Sequence, residues 1–123
     1  MIVDEVLENK EIAQQYKELL RISYQRLTSN DKKLIRLAFD TSVDAHKNQR
    51  RKSGEAYVFH PIGVAKIVAN EIGLDATSIA AALLHDVLED TEYNVNEIEK
   101  LFGKTVTKIV VGLTKISNLK KDK

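Results

Sequence analysis

The sequence contains no cysteine. This excludes disulfides and a thiolate-bound structural zinc, so any metal site must be built from imidazole and carboxylate. Proline occurs once and glycine five times in 123 residues, and β-branched alternation is scarce. A fold rich in tight turns and strands lacks its usual punctuation here, which favours an all-α domain. The longest apolar run, Ile79 to Leu84, is far shorter than a bilayer-crossing helix. The opening Met1-Ile2-Val3-Asp4-Glu5 has neither the basic region nor the apolar stretch of a signal peptide. An excess of one charge is also missing. Nineteen Lys and Arg face eighteen Asp and Glu, a formal net charge of +1. That gives no general electrostatic case for nucleic-acid or membrane binding. Together with the absent cysteine, these features lead us to expect a cytoplasmic protein.

What is present is an ordinary globular balance, 43% hydrophobic and 30% charged, in one domain spanning residues 1–123. About six helices are expected. The first runs from Asp4 to about Leu27, in one or two pieces. The second spans about Asp31 to Lys47, after possible N-caps in Thr28-Ser29-Asn30-Asp31, with Leu34, Leu37, Ala38, Thr41 and Ala45 facing inward. A basic loop, Asn48 to Ala56, follows. The third helix begins near Pro61, continues through Val64, Ile67 and Val68, and stops at Gly73. The fourth starts near Asp75 or Thr77 and carries His85. Asn94 and Glu97 form a capping box for a fifth, with Ile98, Leu101 and Phe102 inward and Gly103 as its stop. A sixth spans about Lys104 to Leu113, with Val106, Ile109 and Val110 inward and a polar tail beyond.

The stretch from Arg51 to Asp90 holds two of the three histidines. Projected on a helix, Ala80, Leu83, Leu84, Val87 and Leu88 fall within an arc of about 140°. His85, Asp86, Glu89 and Asp90 occupy the opposite arc, with no Lys or Arg interspersed. Clustered carboxylates repel one another unless a cation or raised pKa values relieve them. An imidazole among them suits zinc, manganese or ferrous iron. A solvated acidic helix face is the plain alternative. The same duality holds for His60, ligand or helix-entry cap, and for the basic run Lys47 to Lys52, phosphate grip or solvated loop. His46 reads as a packed or surface histidine.

His60-Pro61, then His85-Asp86 twenty-five residues after His60, then Glu89-Asp90-Thr91, resembles the HD-type hydrolase domain of the RelA/SpoT family. That family makes and degrades the alarmone (p)ppGpp. Arg51-Lys52-Ser53-Gly54-Glu55 resembles its RKSGEPY element, with Ala56 where proline is usual. Gly112-Leu113-Thr114-Lys115 resembles its GxTK element. The likeness runs from about Leu34 to Ile116. It implies an HD-domain helical bundle and hydrolysis of the 3′-pyrophosphate of (p)ppGpp to GDP or GTP and pyrophosphate. It implies His60, His85 and Asp86 as metal ligands, with Mn2+ the expected metal. Glu89 is expected to orient or deprotonate the attacking water, supported by Asp90. Arg51, Lys52 and Ser53 are expected to hold the nucleotide, and Tyr57 to offer a stacking face.

Two other readings compete. One is an HD phosphohydrolase of another nucleotide, which has no need for Arg51-Lys52-Ser53-Gly54. The other is a non-catalytic regulatory HD domain of a (p)ppGpp synthetase, in which the histidine and acid positions are usually degraded; both are intact here. A plain helical interaction module is weaker still. The family's sites take a fourth ligand, an aspartate on a helix well past the GxTK element. Asp122 is the sole acid after Lys115, and its surroundings do not resemble that helix. The resemblance therefore implies a bundle without the family's later helices, C-terminal synthetase and regulatory partner domains, weak metal uptake and little hydrolysis in these 123 residues, and self-association through uncovered apolar faces.

Overall fold

The computed structural model describes residues 5–23, 27–72 and 75–121, with side chains for all of these except 23, 71, 72, 90 and 116–121. Helix α1 spans Glu5–Ser23 and α2 Ser29–Ala45. The second is started by a full capping box: Thr28 Oγ1 accepts from the Asp31 N–H, and the Asp31 carboxylate accepts from the Thr28 N–H. Helix α3, Phe59–Ile67, runs on into a π-helical turn, Val68–Ile72. Pro61 sits in the first turn of α3, where its missing N–H costs nothing. The expected stop at Gly73 lies outside the described residues.

Helix α4, Ala76–Leu84, is the centre of the molecule. Asp75 caps it, accepting from the Ser78 N–H at 3.0 Å. Every residue from Ile79 to Leu84 is buried, because α2, α3 and α6 all pack against this one helix. A short α5 follows, Val87–Asp90. Helix α6 is Val95–Lys121, bent at Gly103, whose φ of 82° interrupts the helix. The Asn94–Glu97 capping box forms with both reciprocal hydrogen bonds. Among the described residues the only β pairing is a single antiparallel bridge, Arg50 with Ala56. The all-α expectation stands.

Three sequence expectations are corrected. The buried face of α2 is Ile35, Ala38, Phe39, Thr41 and Ser42, while Leu37 is exposed. That face packs chiefly against α4, with Phe39 also meeting the Tyr16 ring of α1 at 4.3 Å, so the helix is rotated away from the arc through Leu37. Leu101 and Ile109 are likewise exposed, since the neighbouring helices meet Ile98, Val106 and Val110. Finally, helix continues to Lys121 and does not end near Leu113.

Candidate metal centre

His85 and Asp86 do not sit on a continuous helix. The chain leaves α4 at Leu84, turns through His85-Asp86, and re-enters helix at Val87. The cause is local. The His85 N–H reaches the Ala82 carbonyl, three residues back, at 3.5 Å. The His85 ring bonds the same carbonyl through Nδ1 at 2.6 Å. The tightened turn swings Asp86 inward, and it is buried at 7% exposure. The expectation of an outward polar arc therefore fails for Asp86. A second helix entry supplies the partner: His60 is the second residue of α3.

The three side chains converge. Each of His60, His85 and Asp86 offers a ligand atom, and these atoms lie within 4.8 Å of one another. His85 Nε2 stands 3.1 Å from Asp86 Oδ2, and His60 Nε2 stands 3.6 Å from it. The Tyr57 hydroxyl donates to the same Oδ2 at 2.8 Å. Tyr57 itself lies between two imidazoles, 4.8 Å from the ring of His46 and 5.9 Å from that of His60. The hydroxyl is thus engaged with Asp86, while the expected stacking role concerns the partly exposed ring. His46 is packed in the core, as a structural histidine would be, with Nδ1 2.8 Å from Gln49 Oε1.

The donor set fits a divalent cation. A carbonyl can only accept, so His85 Nδ1 carries a proton toward Ala82, and Nε2 faces the cluster. A histidine whose other nitrogen is tied to a backbone carbonyl is the usual form of a metal ligand. A lone pair on Nε2 facing a carboxylate oxygen at 3.1 Å repels it unless a proton or a cation lies between them. Burial pushes the Asp86 carboxyl up, but the His85 hydrogen bond and charge and the Tyr57 hydroxyl outweigh it, and its pKa falls to about 2. Burial is also the largest influence on His60 and lowers its pKa, with Asp86 opposing and His85, Arg51 and His46 reinforcing. The corner thus holds an ionised Asp86 carboxylate beside His60, whose neutral form burial favours, and both are the forms that ligate a metal.

Of the other site residues, Glu89 lies on α5, half-buried, with its Oε2 enclosed. The side chain of Asp90 lies outside the described residues. Arg51, Lys52 and Ser53 occupy an exposed hairpin just before Tyr57. Arg51 is close enough to His60 to add to the lowering of its pKa. Ser53 donates to Glu55 at 2.8 Å, and Arg51 Nε lies 3.7 Å from the same carboxylate. A separate apolar groove of about 600 Å³ between α1 and α2, lined by Ile12, Tyr16 and Phe39, involves none of these residues. The bond of the His85 ring to the Ala82 carbonyl has no signature in the residue pattern. The spacing of Tyr57 three residues before His60, at a helix entry, was the one signal that pointed to its proximity.

The HD domain family matches residues 38–123. The bifunctional (p)ppGpp synthase/hydrolase SpoT of Escherichia coli (strain K12) is 42% identical over 105 residues, covering 85% of this chain and 15% of that protein. The guanosine-3′,5′-bis(diphosphate) 3′-pyrophosphohydrolase of Aquifex aeolicus is 46% identical over 86 residues, covering 70% of this chain and 12% of that protein. The chain thus spans less than a sixth of the length of these relatives. A solved structure, described as a metazoan ortholog of SpoT that hydrolyzes ppGpp and plays a role in starvation responses, is similar with a TM-score of 0.61 and 34% identity. The likeness covers 72% of this chain and 49% of that one.

Proposed function

This chain belongs to the HD domain family, and from that premise we propose that it takes part in hydrolysing the 3′-pyrophosphate of (p)ppGpp. The observation that carries the reading is the adjacency of two unlike parts. The corner of His60, His85 and Asp86 lies next to a hairpin bearing Arg51, Lys52 and Ser53, with Tyr57 joining them. The names of the relatives support the same substrate.

In this reading His60, His85 and Asp86 hold a divalent cation, Mn2+ for preference, since a nitrogen-and-oxygen donor set accepts it. The cation supplies Lewis-acid polarisation of the phosphoryl group and of the attacking water. The protein's own residues do the rest. Arg51 and Lys52 grip the pyrophosphate oxygens, Arg through a bidentate fork and Lys as a compact charge. Ser53 adds a hydroxyl donor. Glu89, four residues beyond His85, aligns the water and takes its proton, with Asp90 behind it. The bond between the ribose 3′ oxygen and phosphorus breaks. The water's hydroxyl ends on pyrophosphate, and a proton ends on the 3′ oxygen. Guanine-nucleotide recognition, the longer protein's further domains and a cytoplasmic setting belong to the same proposal. Among the described residues no helix is long and apolar enough to cross a membrane.

The test is product analysis. With added manganese, whatever ppGpp the chain turns over, however slowly, should appear as GDP and pyrophosphate, and His85→Ala should release neither. Release of single phosphates, or equal turnover of deoxynucleoside triphosphates, would move the assignment to another HD phosphohydrolase chemistry.

A further inference from the structure

The hairpin that carries Arg51, Lys52 and Ser53 is short and mostly exposed, so something must hold its shape. Its own backbone supplies part of the answer. Arg51 N–H donates to Glu55 O at 3.0 Å, Gly54 N–H to Arg51 O at 2.9 Å, and Tyr57 N–H to Gln49 O at 3.0 Å. Gly54 turns the chain with a φ of 100°, which a side chain would resist. In this pattern Arg50 and Ala56 face each other as a bridge without bonding each other, so the Ala56 N–H points away from the hairpin.

The remainder comes from a residue 42 positions away. Glu8 of α1 receives both ends of the Arg50 guanidinium, at 2.8 and 2.7 Å. Arg50 Nη1 also donates to the Gly54 carbonyl at 2.8 Å, which fixes the turn itself. Surface ion pairs are usually worth little. This one is bidentate, and the Glu8 side chain is 17% exposed, against 53–60% for both partners of the Arg36–Asp40 pair. The Arg50 hydrogen bond holds the Glu8 carboxyl below the usual range, so the clamp stays charged.

We propose that Glu8 is a positioning residue for the nucleotide-holding hairpin, acting through Arg50. The resemblance noted above places proline where this chain has Ala56. Proline stiffens a hairpin by fixing φ but has no N–H to give. Alanine leaves that position freer, and the clamp from α1 supplies stiffness through Arg50. Arg51 and Lys52 are thereby pre-arranged for an anionic ligand, which spares the ordering cost at binding.

The inference rests on the hairpin's reading as the nucleotide site, and the experiment separates the two. Hydrogen exchange is measured on the intact chain and on Glu8→Gln, alongside calorimetric titration with ppGpp. The expected result is faster exchange at the Arg51, Gly54 and Tyr57 amides, and ppGpp affinity weaker by roughly 5- to 20-fold, as for a loop that must be re-ordered on binding. Metal affinity should stay unchanged, which a general loss of structure would not allow. Ala56→Pro in the Glu8→Gln background should restore slow exchange and affinity together. Unchanged amide exchange in Glu8→Gln would overturn the clamp. Restored exchange without restored affinity would overturn its link to binding. An intact chain that binds no ppGpp while the exchange contrast persists would overturn the nucleotide reading and leave the clamp established.

Discussion

The metal corner and the basic hairpin are built on opposite principles. His60, His85 and Asp86 project from the first turn of α3 and from the end of α4, both anchored in the core. Their positions follow from helix packing, and Tyr57 and the Ala82 carbonyl lock their rotamers. The hairpin touches the core only near Ala56 and is otherwise shaped by charge, through Glu8 and Arg50. Cation binding tolerates little misplacement, so its ligands belong on rigid elements. Phosphate groups vary in position as a substrate enters, and a surface hairpin held by ion pairs can yield. The two regions should therefore respond differently to mutation.

The largest effect is expected at Asp86. Asp86→Ala should abolish manganese binding and also lower stability by about 1–3 kcal/mol, because the inward Tyr57 hydroxyl loses its acceptor. Calorimetric metal titration and urea melts check both parts. A metal defect with unchanged stability would show that the corner is less integrated with the core than its burial indicates. Tyr57→Phe removes only the hydroxyl and should weaken metal binding by about tenfold, the low end for an outer-sphere partner.

A smaller and cleaner effect is expected in the hairpin. Arg51→Ala should weaken ppGpp binding by about 1–3 kcal/mol, the range for losing a charge-assisted hydrogen bond. Metal affinity and melting should not move. A parallel loss of metal binding would erase the distinction between the two regions.

The smallest effect lies outside both, at the link between α5 and α6. The Tyr93 hydroxyl donates to Asp44 of α2 at 2.7 Å, and this bond, with burial assisting, pushes its pKa up to about 12. The raised value means that folding favours the neutral phenol. Its contribution to stability is complete below the ordinary value of 10.0 and is lost as the pH rises through about 12. Ultraviolet difference titration against Tyr93→Phe should place this phenol near 12, and Asp44→Asn should return it toward 10.0. An unshifted phenol would mean that this connection is not tied to α2.

Much of this was legible in the chain itself. The absence of cysteine limited any metal site to imidazole and carboxylate. The scarcity of proline and glycine gave the all-α fold, and local chemistry gave its boundaries. Thr28 with Asp31, Asp75, Asn94 with Glu97, and Gly103 each act within a few residues, so their signals survive in one dimension. The ordered set of His60, His85-Asp86 and Arg51-Lys52-Ser53 marked a candidate site before any helix was placed. Tertiary structure decided what periodicity could not. Which face of α2 is buried depends on α4, the helix it packs against. Asp86 turns inward because the His85 ring and its N–H share one carbonyl, and an ideal helical projection cannot include that break. Glu8 reaches Arg50 across 42 residues, and a long-range ion pair leaves no periodic trace, because its partners meet only after the helices between them have packed.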